Sequence, residues 1–255
     1  MMKQYGLIGY PLSHSFSKKY FTEKFEKENI PDCNYELFPI ENIEQLPSLI
    51  EAHPDLCGLN VTIPYKESVI PFLDELDPIA KKVAAVNCIK IEQLADNKKK
   101  LTGYNTDVFG FRQSIKPFIE IQHERALILG TGGASKAVHY VLKEIGIECY
   151  FATRSKSVQQ QTANNIFTYE ELNENMINAF KLIVNTSPVG MAPDTNNAPS
   201  IPYQYISPAH LLYDLVYNPA ETEFLKRGKQ QGASTVNGFS MLQQQAEEAW
   251  RIWNR

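Results

Sequence analysis

Cysteine is scarce and scattered. The 255-residue chain has four, at positions 33, 57, 88 and 149. None forms a Cys-x-x-Cys pair and no histidine cluster stands beside them. That argues against a disulfide framework and against a bound metal, and the expectation is reduced, mostly buried thiols. Long apolar runs are also absent. None approaches the roughly 18 residues that span a bilayer, so no membrane partner is expected. Excess positive charge is missing too. The formal net charge is -4, which gives no long-range attraction to nucleic acid or anionic lipid. The densest basic run, Lys98-Lys99-Lys100, follows Asp96-Asn97 and leads into Leu101-Thr102, the pattern of a solvated hairpin tip. Internal repeats and long linkers are absent, and the opening residues Met1–Tyr10 read as a strand rather than a secretory signal. These absences together point to a cytoplasmic protein with neither a nucleic-acid nor a membrane partner.

The residues that are present suit a globular core. Hydrophobic residues make up 43% and charged residues 21%, close to the globular norm. The length suits one large domain or two small ones. Strand-like and helix-like runs alternate along the chain. Tyr5–Gly9, Tyr35–Ile40 and Cys57–Ile63 read as strands. Ser17–Asn29, Asn42–Ala52 and Asp77–Val83 read as the helices between and after them. Val86–Ile91 and Leu101–Tyr104 read as a hairpin pair. From about Asp107 a second series begins. Strands are expected at Arg125–Leu129, Glu148–Ala152, Lys181–Val184 and Leu211–Val216, with a helix at Ala134–Ile145. An amphipathic helix, Ser240–Trp253, closes the chain. This is an α/β cadence, with a mostly parallel sheet in the first part and a Rossmann-type sheet in the second.

One turn carries chemistry on its own. Gly130-Thr131-Gly132-Gly133-Ala134-Ser135 follows a strand and opens a helix, the context a dinucleotide fingerprint requires. The first glycine permits the tight turn and the second lets the backbone approach a pyrophosphate. The helix N-terminus then offers free N–H groups and partial positive charge. The third fingerprint position is Ser135, small enough for close packing. The next strand indicates which dinucleotide. NAD sites usually carry an acid about 20 residues on, to bond the ribose 2′-OH. Here Thr153-Arg154-Ser155-Lys156 follows instead. A guanidinium, an ammonium and hydroxyls suit a 2′-phosphate, so NADP is the expected cofactor.

Four segments of the first half are polar where a buried strand end is usually apolar. They are Ser13–Ser17, Gly58–Lys66, Ala85–Asn87 and Gly103–Asp107. In open α/β sheets the C-terminal strand edge is where ligands bind. Taken singly, Ser13, Ser17, Asn60, Asn105 and Asp107 have ordinary roles as caps or turn residues. Together they describe a site for a small polyhydroxylated molecule.

These segments resemble those of the shikimate dehydrogenase family. Its serine motif matches Ser15 and Ser17, N-V-T-x-P-x-K matches Asn60–Lys66, V-N matches Val86-Asn87, and N-T-D-x-x-G matches Asn105–Gly110. In the second half, Gly130–Ala134 resembles G-x-G-G-A and Asn185–Met191 resembles N-x-[ST]-P-x-G-M. Asp214–Pro219 with Thr222, then Asn237-Gly238 with Met241, Leu242 and Gln245, complete a match that runs in order through nearly the whole chain. Three departures stand out: Ser17-Lys18 in place of Ser-Pro, Ala84–Cys88 in place of G-A-V-N-T, and Thr153-Arg154-Ser155 in place of N-R-T.

The resemblance implies a substrate domain of residues 1–105, joined by the last helix at 239–255, and an NADP-binding domain of residues 106–238. It implies reversible NADPH-dependent reduction of 3-dehydroshikimate to shikimate. Lys66 and Asp107 would be the catalytic pair. Ser15 and Ser17 would hold the substrate carboxylate, while Asn60, Thr62, Asn87 and Gln245 would bond ring hydroxyls and Tyr217 would close the pocket. Gly130–Ala134, Thr153–Lys156, Asn185, Thr186, Ser187 and Gly238 would line the cofactor, with Asn185 to Ser187 and Gly238 on the nicotinamide side. A monomer or homodimer is expected. The alternatives are a relative acting on quinate, with NAD or NADP, and a dinucleotide-binding regulator without turnover. The presence of both Lys66 and Asp107 argues against the regulator.

Overall fold

The computed structural model describes residues 2–12, 16–95, 98–155 and 164–255. Ser15 and Lys156 of the expected site lie outside these, as does His14. The chain divides into two compact units, Met1–Thr106 with Ala246–Arg255, and Asp107–Gln245.

The first unit contains β1 (Lys3–Gly9), α1 (Phe16–Lys27), β2 (Cys33–Pro39), α2 (Leu46–Ala52), β3 (Leu56–Val61), β4 (Glu75–Leu76), α3 (Pro78–Val83), β5 (Cys88–Gln93) and β6 (Lys99–Tyr104). Its strands line up as β2-β1-β3-β5-β6-β4. β1 runs parallel to β2 and β3, and β4 runs parallel to β6. The β3–β5 and β5–β6 pairs are antiparallel. The connections explain the mixture. Helical crossovers join the first three strands and permit parallel pairing, while β5 and β6 follow each other closely enough for a hairpin. Alternation along β1 sends Ile8 to one core with Phe38, Leu46, Leu59 and Ile89. It sends Tyr5 and Leu7 to the other, with Phe21, Phe25 and Tyr35. Asp77 accepts from the Ile79 and Ala80 N–H groups to start α3.

The second core is completed by residues from the end of the chain, Ala246, Ala249, Ile252 and Trp253. The Trp253 ring stacks on Tyr5 at 4.9 Å, and its Nε1 donates to the Ile89 carbonyl at 3.0 Å. Gly58 makes room for it, since a Cβ there would stand 2.3 Å from Trp253 Nε1. Gly58→Ala should therefore cost about 1–3 kcal/mol, as overpacking of a filled core does. A thermal melt shifted by less than a degree would contradict this.

The second unit contains α4 (Thr106–Ile115, with Thr106 itself in the first unit), β7 (Arg125–Leu129), α5 (Gly133–Glu144), β8 (Glu148–Thr153), β9 (Ile166–Thr168), α6 (Glu174–Ala179), β10 (Leu182–Asn185), β11 (Leu211–Asp214), α7 (Glu223–Gln230), β12 (Ser234–Val236) and the start of α8 (Phe239–Trp253). The order is β12-β11-β10-β7-β8-β9, with each of these neighbouring pairs parallel. From β7 the chain builds outward through β8 and β9, then returns to the other side of β7 with β10. That reversal opens a crevice at the C-terminal ends of β7 and β10. The division between the units falls inside α8, after Gln245, rather than before Phe239. The first turns of α8 lie against α4, where a Cβ on Gly110 would meet the Met241 carbonyl oxygen at 2.6 Å.

Two expectations need correction. Lys99 is not a solvated hairpin tip: its Nζ donates to the carbonyls of Ile50 and His53 at 3.1 and 2.8 Å, tying β6 to the end of α2. Lys100 pairs with Glu75 at 2.6 Å. The thiols are free, but only Cys88 is buried, the other three being partly exposed.

Candidate active site

The glycine turn lies at the crevice mouth of the second unit. Gly130 has φ of +102°, a conformation that a side chain makes costly. Thr186 closes the turn from the side: its N–H and hydroxyl both donate to the Leu129 carbonyl, at 3.0 and 2.8 Å. Gly132 caps α5 with no side chain, and a Cβ there would meet nothing within 4 Å. That open space beside the helix N-terminus is what a pyrophosphate needs in order to touch backbone N–H groups. Ser135 turns inward, its hydroxyl donating to the Gly132 carbonyl at 2.6 Å. At the end of β8, Thr153 Oγ1 donates to the Ser155 carbonyl at 3.2 Å, and Arg154 and Ser155 are exposed. Burial raises the pKa of Tyr169, and the Arg154 charge opposes the rise. The residues present therefore fit a dinucleotide with a 2′-phosphate.

Asn185 does not face an open crevice. It is fully buried. Its Oδ1 accepts from the Ser187 N–H and hydroxyl at 3.0 and 2.7 Å, and its Nδ2 donates to Asp214 at 2.9 Å. Asp214, equally buried, also accepts from the Val216 N–H at 3.0 Å and the Thr222 hydroxyl at 2.6 Å. The motif residues of β10 and β11 are thus joined to each other, and Ser187 is what they present. Asp214 was the unassigned residue of its motif, and its hub role needed the parallel register of β10 with β11 to be seen. Gly238 is held as tightly: a Cβ would stand 2.0 Å from the Leu215 carbonyl oxygen. Tyr217 is partly buried, which raises its pKa. Gln245 is also partly buried, with its Nε2 donating to the Leu242 carbonyl at 2.9 Å.

Burial pushes Asp214 up to about 6, against the hydrogen bonds from Thr222, Val216 and Asn185. A carboxyl raised in the folded state contributes stability that is present below its unfolded value near 4 and is lost as pH rises through 6. The stability of the protein relative to Asp214→Asn should fall by up to about 3 kcal/mol between pH 4 and pH 7. Urea titrations of both at several pH values would show this, and a difference independent of pH would refute it.

In the first unit, the expected polar segments converge through hydrogen bonds. Asn60, nearly buried in β3, accepts from the Tyr35 hydroxyl at 2.7 Å and donates to the Asn87 carbonyl at 3.3 Å. Asn87 accepts from the Thr106 N–H at 2.7 Å and donates to the Thr106 hydroxyl at 3.0 Å. Asn105 donates to the Ala85 carbonyl at 2.9 Å. The Val86 N–H donates to the Lys66 carbonyl at 2.7 Å. The Tyr65 hydroxyl bonds the Ile40 carbonyl at 2.7 Å, steadying the segment after β3. Lys66, Thr62 and Ser17 are partly exposed. Asp107 lies in the first turn of α4, directly after Thr106, and is 6% exposed. The backbones that carry Asn60, Lys66 and Asn87 are therefore linked to Thr106 in one chain of contacts within the first unit. Sequence reasoning missed Tyr35 and Thr106, the residues that make the links.

The second unit is a nucleotide-binding α/β sheet and the first carries a cluster of amides, hydroxyls and one lysine, the division of labour of a two-unit dehydrogenase. Residues 7–89 match the family described as the shikimate dehydrogenase substrate binding domain. The shikimate dehydrogenase (NADP(+)) of Carboxydothermus hydrogenoformans is 39% identical, over 97% of this chain and 90% of its own. A crystal structure of shikimate dehydrogenase 1 from Peptoclostridium difficile is 40% identical, with TM-score 0.82 over 99% of this chain and 92% of that one. The Thermus thermophilus shikimate 5-dehydrogenase, solved with NADP(H) and shikimate, superposes with TM-score 0.83 at 28% identity, over 99% and 93%. The chain belongs to the shikimate dehydrogenase family. Among the described residues no helix is long and apolar enough to cross a membrane, and no group of His, Cys, Asp and Glu could hold a metal ion.

Proposed function

We propose that this protein catalyses the reversible NADPH-dependent reduction of 3-dehydroshikimate to shikimate, in the cytoplasm, as a step toward chorismate and the aromatic amino acids. The observation that carries the reading is the Asn60–Asn87–Thr106 network, which gathers the family's polar motifs at one strand edge of a chain that also holds an open glycine turn. In this reading residues 1–106, with the end of α8, bind the substrate, and the second unit binds the cofactor. NADPH, when bound, supplies the hydride. Gly130–Ala134 and the α5 N-terminus receive its pyrophosphate, and Arg154, with Thr153, Ser155 and Lys156, its 2′-phosphate. Thr186, Ser187 and Gly238 shape the nicotinamide side, with Asn185 acting through Ser187. Ser15 and Ser17 take the substrate carboxylate. Asn60, Thr62, Asn87 and Gln245 take its hydroxyls, and Tyr217 covers it.

As the carbonyl carbon is reduced, negative charge collects on its oxygen. Lys66 is assigned to stabilise that charge as an ammonium or to supply the proton that quenches it. Asp107 is assigned, by its place in the matched motif, to orient the lysine and to bond a substrate hydroxyl. Steady-state rates with shikimate and quinate, each with NADP and NAD, test the reading. Shikimate with NADP should be the preferred pair. Preference for quinate would reassign the substrate, and turnover with none of the four pairs would remove the enzyme.

A further inference from the structure

Tyr35 of β2 is 2% exposed, and its ring lies flat on Phe21 of α1, with centroids 4.7 Å apart. A phenol so enclosed requires a polar partner. Its hydroxyl donates to Asn60 Oδ1 at 2.7 Å. Burial drives its pKa well above the ordinary phenol value, so the proton stays in place. The hydroxyl therefore ties β2 to the β3 side chain that Proposed function assigns to substrate binding.

The orientation of Asn60 follows. Its Nδ2 donates to the Asn87 carbonyl at 3.3 Å. Turning the amide over would set its oxygen against that carbonyl, which can only accept. The Asn87 carbonyl thus excludes the flipped amide, and the Tyr35 hydroxyl donates to the oxygen that this orientation turns toward it. Oδ1 accepts from Tyr35, and the second Nδ2 hydrogen, which has no partner among the described residues, is the one offered to a ligand. The site at this point offers a donor, so it selects an oxygen acceptor such as a ring hydroxyl and rejects an ammonium.

We propose that Tyr35 is a positioning residue of the substrate site, holding in place through its hydroxyl the Asn60 amide that meets the substrate. The proposal rests on the reading that Asn60 binds substrate, and the test separates the two. Tyr35→Phe keeps the ring and its stacking on Phe21 and removes only the hydroxyl. The KM for shikimate should rise about tenfold, equivalent to about 1.4 kcal/mol, while kcat and the KM for NADP stay within twofold. Asn60→Ala should raise the same KM by itself. In the Asn60→Ala background, Tyr35→Phe should then add less than threefold, because the amide it orients is gone. A Tyr35→Phe variant with an unchanged KM, or an effect equally large with and without Asn60, would reduce Tyr35 to a packing residue and overturn the proposal. If Asn60→Ala left the KM unchanged while Tyr35→Phe raised it, the substrate role of Asn60 would fail, and the proposal with it.

Discussion

Lys66→Ala should leave a folded protein that has lost roughly 10²–10⁴-fold in kcat, the usual contribution of a positioned proton donor. The fold should survive because the lysine serves it through its backbone: the Lys66 carbonyl accepts from Val86 whatever side chain stands there. Its side chain is partly exposed and no core is built on it. The KM for NADP should change little, since the glycine turn and Arg154 belong to the other unit. Single-turnover reduction of 3-dehydroshikimate, beside a circular dichroism spectrum, reads both quantities. A rate within threefold of the parent would remove Lys66 from the chemistry. Lys66→Arg divides the role further. Arginine keeps the charge but does not give up a proton at neutral pH, so substantial retained activity would identify Lys66 as an electrostatic stabiliser, and a loss equal to that of alanine would identify it as the donor.

Gly132→Ala should weaken dinucleotide binding at least tenfold, about 1.4 kcal/mol, while costing the fold no more than about 1 kcal/mol, as a poorer N-cap does. The dissociation is expected because the missing Cβ faces open space. No described residue resists a methyl there, so a loss of affinity would report the ligand. Gly130→Ala is the contrasting case. Its φ of +102° and the Thr186 Oγ1 at 3.2 Å from a built Cβ make it a folding lesion as well. Fluorescence titration with NADPH, beside urea denaturation, distinguishes them. Unchanged NADPH affinity in Gly132→Ala would mean that the open space is not the pyrophosphate site.

The sequence made some features plain and left others unreadable, for physical reasons. The strand–turn–helix at Arg125–Glu144 was legible because hydrophobic run, glycine turn and helical period agree locally. α4 was not. Thr-Asp-Val-Phe-Gly-Phe holds two β-branched residues and a mid-helix glycine, poor helix formers, and its start is held by Asn87, 19 residues earlier. β9 and β12 are three residues each, too short for a period to show. Asn185 illustrates the limit within the site. Its polarity marked it as functional, but its burial depends on Asp214, 29 residues on. Tyr35 reads as an ordinary strand aromatic until the sheet brings it to Asn60, 25 residues away. Local chemistry announces which residue types are present, and the register of the sheet decides what each one touches.

The core that receives Ala246, Ala249, Ile252 and Trp253 has a consequence for biosynthesis. The first unit is begun by residues that leave the ribosome before the second unit does, yet one face of its sheet waits for residues 246–255. The second unit, residues 107–245, is a continuous stretch and has all its parts earlier. Domains generally mature in the order of their synthesis. Here the order inverts: the unit started first is sealed last, and until then Tyr5, Phe21 and Phe25 remain a surface for chaperones.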